Sequence, residues 1–142
     1  MQRFIYPISL TRDVADGGFV VACRDVPEVV TQGETVADAI SEAEGALEAA
    51  VEMRIEDGMS IPAPSAKRRG EHLAGLPVAT AMKAALYVSM QEQNVSKAEL
   101  ARRLGLDEKE ARRMLDPKHG TKIPALERAL HALGKRVELA VV

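Results

Sequence analysis

Ser96-Lys97-Ala98-Glu99-Leu100-Ala101-Arg102-Arg103-Leu104-Gly105-Leu106-Asp107-Glu108-Lys109-Glu110-Ala111-Arg112-Arg113-Met114-Leu115 reads as two short helices joined by a sharp corner. Ser96 is placed to cap the first helix, with Glu99 three residues on to close a capping box. Asp107 and Glu110 repeat the arrangement for the second. Leu100, Ala101 and Leu104 share one face of the first helix, and Ala101 is small enough to let a crossing helix approach. Gly105 supplies the positive φ that the corner needs. Leu106 fills the corner, and Ala111, Met114 and Leu115 turn the second helix toward a core.

That assignment leaves Glu108, Lys109, Arg112 and Arg113 on the outer side of the second helix. In a helix-turn-helix the second helix lies in the major groove of DNA and presents such residues to base edges. Arginine suits the task because its fork reaches guanine O6 and N7 together. Ser96, Lys97, Lys118 and Lys122 flank the helix where phosphates would run, and His119 and Thr121 lie in the loop after it. The candidate DNA-binding set is therefore Ser96, Lys97, Lys109, Arg112, Arg113, Lys118, His119, Thr121 and Lys122.

Around this pair lie further helical patterns. One runs from Thr80 to Gln93 and stops at Asn94, which tolerates the left-handed conformation. Another runs from Ile123 to Leu133 and stops at Gly134. Val137, Leu139 and Val141 then alternate as a terminal strand. The helix Ile123–Leu133 and the edge of the strand Val137–Val142 are the candidate surfaces for a two-fold dimer.

Upstream the periodicity changes. Phe4 to Leu10 alternates as a strand, with Pro7 requiring a free or interrupted side. Asp16-Gly17-Gly18 is a turn signal before a second strand, Phe19 to Cys23. Val29-Val30-Thr31 forms a short third strand that ends at Gly33. Thr35 then caps a helix whose apolar residues Val36, Ala39, Ile40, Ala43, Leu47, Ala50, Val51 and Ile55 recur at helical spacing, with Gly58 as the stop. Its polar face carries Asp38, Glu42, Glu44, Glu48, Glu52 and Glu56. Prolines 62 and 64 hold the next segment extended, Lys67-Arg68-Arg69 forms a basic loop, and His72 to Val78 is a fourth strand returning to the sheet. The expected class is α+β: an N-terminal antiparallel sheet with one packed helix in residues 1–78, and a helical helix-turn-helix domain with a terminal strand in residues 79–142.

Charge separates along the chain. The net charge of −2 over 142 residues divides into −8 for residues 1–66 and +6 for residues 67–142. A basic half suits phosphate and an acidic half suits a basic protein. No apolar run approaches the roughly 18 residues of a membrane span, and the first residues lack the pattern of a signal peptide. The lone Cys23 permits no internal disulfide and lies in an apolar strand, so the expectation is a cytoplasmic protein with Cys23 in its core. His72, His119 and His131 are far apart and lack metal-ligand spacing. No glycine loop of the phosphate-cradling kind is present, and Glu42 and Glu44, two apart on a helix, do not face each other. No catalytic residue, metal or cofactor is expected.

The whole chain resembles the HicB-type antitoxins. The resemblance rests on Gly18-Phe19-Val20-Val21-Ala22, Asp25-Val26-Pro27, Thr31-Gln32-Gly33-Glu34-Thr35 and Ala37-Asp38-Ala39-Ile40. In the second half it rests on Ser96 to Leu106, Leu115-Asp116-Pro117 and Ala132-Leu133-Gly134-Lys135, where the chain is similar to the Cro/repressor-like helix-turn-helix class. The family's turn often reads Phe-Pro-Asp and Pro-Gly, where this chain has Cys23-Arg24-Asp25 and Pro27-Glu28. The resemblance implies a partial ribonuclease-H-like N-terminal fold without its catalytic acids, which masks a small basic HicA-type, RNA-cleaving toxin. It also implies a C-terminal domain that binds double-stranded operator DNA and represses its own operon. Asp25, Glu28 and the acidic helix face are then candidates for toxin contact. A homo-oligomer, a dimer or higher, is expected, with no membrane partner. The competing reading is a stand-alone transcription regulator whose N-terminal domain binds a ligand or another protein.

Overall fold

A computed structural model describes residues 3–142. The chain divides into two compact units, one of the residues up to Arg54 together with Ile61–Pro77, the other of Ile55–Ser60 with Val78–Val142. The class is mixed α+β, with a four-stranded antiparallel sheet in the first half and a helical second half.

The sheet comprises β1 (Ile5–Arg12), β2 (Phe19–Ala22), β3 (Val30–Gly33) and β4 (His72–Gly75), in the order β3-β2-β1-β4. β1 is central but divided. Its second half, Ser9 to Arg12, pairs with β2, and its first half, Ile5 to Ile8, pairs with β4. Leu76 donates its N–H to the Phe4 carbonyl at 3.0 Å, so even-numbered Phe4, Tyr6 and Ile8 bond toward β4. The nitrogen of Pro7 therefore points to the opposite side, beyond the end of β2 at Ala22, where no ladder donor is required. This is the interrupted side that a proline in β1 demands. β4 is shorter than the stretch to Val78, because Pro77 cannot donate and the next helix begins at Val78.

The turn from β1 to β2 is built by Asp13, whose carboxylate accepts from the N–H groups of Ala15 and Asp16, with Gly17 and Gly18 both at positive φ. α1 (Val36–Glu56) follows β3, and Thr35 Oγ1 accepts from the Asp38 N–H at 3.1 Å as its cap. Glycine is obligatory at the entry to α1. A Cβ on Gly33 would lie 2.4 Å from the backbone nitrogen of Ala39, and one on Gly18 would lie 2.6 Å from the Gly33 carbonyl. Strand, turn and helix thus meet backbone to backbone. The core beneath is Tyr6, Ile8, Val21, Cys23, Val26 and Val29 against Ala39, Ala43, Leu47 and Ala50 of α1, closed by Ala74.

In the second unit, α2 (Val78–Gln93), α3 (Lys97–Leu104), α4 (Glu108–Leu115) and α5 (Ile123–Ala132) surround one core. α2 packs on α5, and α3 packs on α4 and α5. Met82, Leu86, Met90, Leu100, Ala101, Ala111, Met114, Leu115, Leu126, Ala129 and Leu130 fill it. Asn94 ends α2 at φ 54°. The inner stripe of α2 runs through Met82, Leu86 and Met90, whereas Ala81 and Val88 are only half-buried. Lys83 lies inside with that stripe.

The strand expected at Val137–Val142 does not form within one chain; no helix or strand follows α5. A lone strand is not stable without a ladder partner. Leu139, Val141 and Val142 are exposed as a result.

Candidate nucleic-acid interface

α3 and α4 form the corner with every polar cap satisfied. Ser96 Oγ accepts from the Glu99 N–H at 3.0 Å, and Asp107 Oδ1 accepts from the Glu110 N–H at 2.8 Å. Gly105 adopts φ 67°, ψ 30°, and Leu106 donates its N–H back to the Ala101 carbonyl at 2.9 Å. Losing one such cap typically costs about 1 kcal/mol. Leu106 and Leu104 are half-buried against the core.

The inner side of α4 is Ala111, Met114 and Leu115, all buried. Glu108, Lys109, Arg112 and Arg113 are exposed on the other side. Arg112 approaches Glu108 at 3.4 Å, with both side chains more than half exposed. Such a pair is worth well under about 1 kcal/mol and leaves the guanidinium available. Glu99 is occupied differently from a closed capping box: its carboxylate accepts from Arg102 and Arg103, and those hydrogen bonds pull its pKa down to about 2.

The remaining candidates fall in two places. Ser96 and Lys97 stand at the start of α3, both exposed. Lys118, His119, Thr121 and Lys122 lie between α4 and α5. Hydrogen bonds bring three of the set together: His119 Nδ1 lies 3.3 Å from Thr121 Oγ1, and that hydroxyl donates to the Arg113 carbonyl at 3.4 Å. Lys118 Nζ is 3.6 Å from Glu56 Oε1, an exposed and therefore weak pairing.

Asp25 and Glu28 are already engaged inside the sheet unit. Asp25 accepts from the Ser65 N–H at 2.8 Å and from the Ser65 hydroxyl, which fastens the proline segment. Glu28 forms a two-point ion pair with Arg54 at 2.6 and 2.7 Å. That guanidinium holds the Glu28 carboxyl below its ordinary 4.5. Arg54 is the one cation in the last turn of an otherwise acidic helix, a signal present in the sequence but readable only once the loop between β2 and β3 is known to bring Glu28 beside it. By contrast, Asp38, Glu42 and Glu44 of α1 are exposed.

Charge follows the units less sharply than it follows the halves of the chain. The sheet unit carries 7 Lys and Arg against 11 Asp and Glu, a net of −4, and the helical unit carries 12 against 10, a net of +2. The difference arises because Lys67, Arg68, Arg69 and Glu71 belong to the sheet unit, and Glu56 and Asp57 to the helical one. Burial pushes the Cys23 thiol pKa up, so its thiolate is disfavoured. Among the described residues no three His, Cys, Asp or Glu side chains are grouped to hold a metal, and no helix is long and apolar enough to cross a membrane.

A family model described as "HicB_like antitoxin of bacterial toxin-antitoxin system" matches residues 5–85. Antitoxin HicB of Escherichia coli (strain K12) is 39% identical over 137 residues, covering 96% of this chain and 99% of that protein. Antitoxin HicB 2 of Photorhabdus laumondii is 38% identical, covering 96% of each. Antitoxin HicB of Pseudomonas fluorescens is 37% identical over 126 residues, 88% of this chain and 86% of that one. The family match lies on the sheet unit and the start of α2, while the curated relatives extend through the α3–α4 corner as well. The likeness runs along nearly the full length, and the chain belongs to the HicB-like antitoxins of bacterial toxin–antitoxin systems.

Proposed function

We propose that this antitoxin neutralises a HicA-type, mRNA-cleaving toxin by binding it directly through the domain of residues 1–78, and represses its own operon through the domain of residues 79–142. The observation that carries the second role is the α3–α4 corner, capped at both helices, with Lys109, Arg112 and Arg113 exposed on one side of α4. α4 enters the major groove, with Arg112 and Arg113 reading bases. Ser96, Lys97, Lys118, His119, Thr121 and Lys122 contact phosphates. Ser96 does so from a hydroxyl that also caps α3. The first role is supported by the family match and by the acidic outer face of α1, which complements a basic partner. Asp25 and Glu28 serve at the edge of that contact, held in place by Ser65 and Arg54. The protein works in the cytoplasm and is not an enzyme.

Two copies bind one operator, reading half-sites about 34–36 Å apart or a multiple of that. The exposed tail, with Leu139 at 75% and Val141 at 90% exposure, pairs with the same tail of a second copy and so gains the ladder partner that a single chain lacks. A chain truncated after Lys135 that still runs as a dimer in light scattering removes the tail from this role and leaves α5.

The deciding experiment is co-expression with the product of the adjacent small open reading frame, one partner tagged. A complex that co-purifies and also shifts its own promoter DNA is expected. A DNA shift without a complex would leave a stand-alone regulator whose N-terminal domain takes a ligand or another protein. A complex without a shift would remove the operator role.

A further inference from the structure

Lys83 lies on α2, is 3% exposed, and its ammonium is turned into the helical unit. There Nζ donates to the carbonyl of Asp116 at 2.5 Å, to that of His119, and to that of Arg113 at 3.4 Å. These carbonyls belong to the last turn of α4 and to the loop after it. A helix C-terminus leaves its final carbonyls without intrahelical partners and carries partial negative charge, so it accepts a cation well. A buried ammonium is tolerated only where such partners compensate its lost hydration. Lys83 and the end of α4 therefore satisfy each other.

The loop so held is the one that carries Lys118, His119, Thr121 and Lys122. Its other contacts are local or exposed: Lys118 and His119 donate their N–H groups to Asp116, His119 Nδ1 lies against Thr121 Oγ1, Thr121 donates to the Arg113 carbonyl, which Lys83 also engages, and Lys118 pairs at the surface with Glu56. Pro117 and Gly120 supply no side-chain hydrogen bond, and no apolar residue of 116–122 enters the core. Lys83 thus ties the end of α4 and two carbonyls of the loop, those of Asp116 and His119, to another helix.

We propose that Lys83 is a positioning residue for DNA binding: it touches no DNA, and by gathering the carbonyls of Arg113, Asp116 and His119 it fixes the end of the recognition helix and sets the phosphate-facing loop in one geometry. This rests on the assignment of α4 and its loop to operator DNA. Preorganisation of this kind raises affinity by removing the cost of ordering the loop at binding.

The test uses the full chain and its own promoter DNA, with affinity measured by fluorescence anisotropy over a salt series. Lys83→Met keeps the length of the side chain and removes the ammonium. It should weaken binding about tenfold and make the salt dependence shallower, by about 0.9 in slope for each phosphate contact the loop ceases to hold. Lys118→Ala should weaken the parent chain and have no further effect in the Lys83→Met background, because the loop contact is already lost. A residue that served the fold alone would lower the melting temperature and leave the slope of the folded molecules unchanged; that result, or full additivity of the two substitutions, overturns the proposal. If Lys83→Met does not fold, amide hydrogen exchange on the parent chain decides: residues 118–121 should exchange as slowly as the end of α4, and exchange at the rate of an open loop overturns it. Failure of the parent chain itself to bind would overturn the operator assignment, which is a different result from equal binding by parent and variant.

Discussion

The two units of this antitoxin are held in opposite ways. The sheet unit is locked by contacts between distant parts of the chain: Gly18 against Gly33, Arg24 with Glu71, Glu28 with Arg54, Asp25 with Ser65. The α3–α4 corner is locked by neighbours. Ser96 caps through Glu99, Asp107 through Glu110, and Glu99 is bonded to Arg102 and Arg103 on the next turn. Non-local contacts make a surface whose shape depends on the whole unit, which suits a partner that must be matched over an area. Local contacts make a rigid small element that can be presented to a groove.

The comparison is broken hardest at Gly33. Gly33→Ala places a methyl group against backbone atoms of α1, which cannot rotate away. The cost should exceed the about 1–3 kcal/mol of ordinary overpacking, and the sheet unit should lose its cooperative transition in calorimetry while the helical unit keeps its own. Leu100→Ala, at a fully buried position of the other core, should lower the helical transition by about 2–5 kcal/mol and leave the sheet transition in place. If either substitution moves both transitions together, the two cores are one cooperative body and the contrast fails.

A smaller effect separates the two kinds of ion pair. Glu71 and Glu99 both have pKa values of about 2, the first lowered chiefly by Arg24, the second by Arg102 and Arg103. A carboxyl lowered from 4.5 contributes stability that is present above about 4.5 and is lost as pH falls toward 2. Glu71→Gln should therefore flatten the acid-side decline of the sheet unit. Glu99→Gln should change the helical unit less, since neighbours on one helix remain close in the unfolded chain as well. Equal flattening in thermal melts between pH 2 and 5, roughly the window between the lowered and ordinary carboxyl values, would show that sequence separation does not matter here.

The same contrast governs what could be read without coordinates. The corner was legible nearly residue by residue, since its caps, its Gly105 and its inner Ala111, Met114 and Leu115 are local rules. β1 to β3 and α1 were legible by period, and Thr35 by its place before Val36. What escaped was non-local. Whether β4 ended at Gly75 or ran on to Val78 depended on the start of α2, and the partner of Glu28 depended on α1 passing beside it. Lys83 escaped because a lysine is placed outside by default, and its carbonyl partners come from residues 30 to 36 positions away. The tail misled for the converse reason: its alternation reports a capacity for pairing, while the partner is absent from the single chain.

The burial of Lys83 also makes it a chemical recorder. An amine-acylating reagent applied to the native protein should mark the exposed Lys97, Lys109, Lys118 and Lys122 at once and reach Lys83 only in molecules whose helical unit has opened. An acylated Lys83 has lost its charge and no longer matches the carbonyls it held, so a molecule once marked does not close again in the same form. The label would accumulate as a count of past openings, and its rate, read by mass spectrometry, would time an event that equilibrium melting only averages.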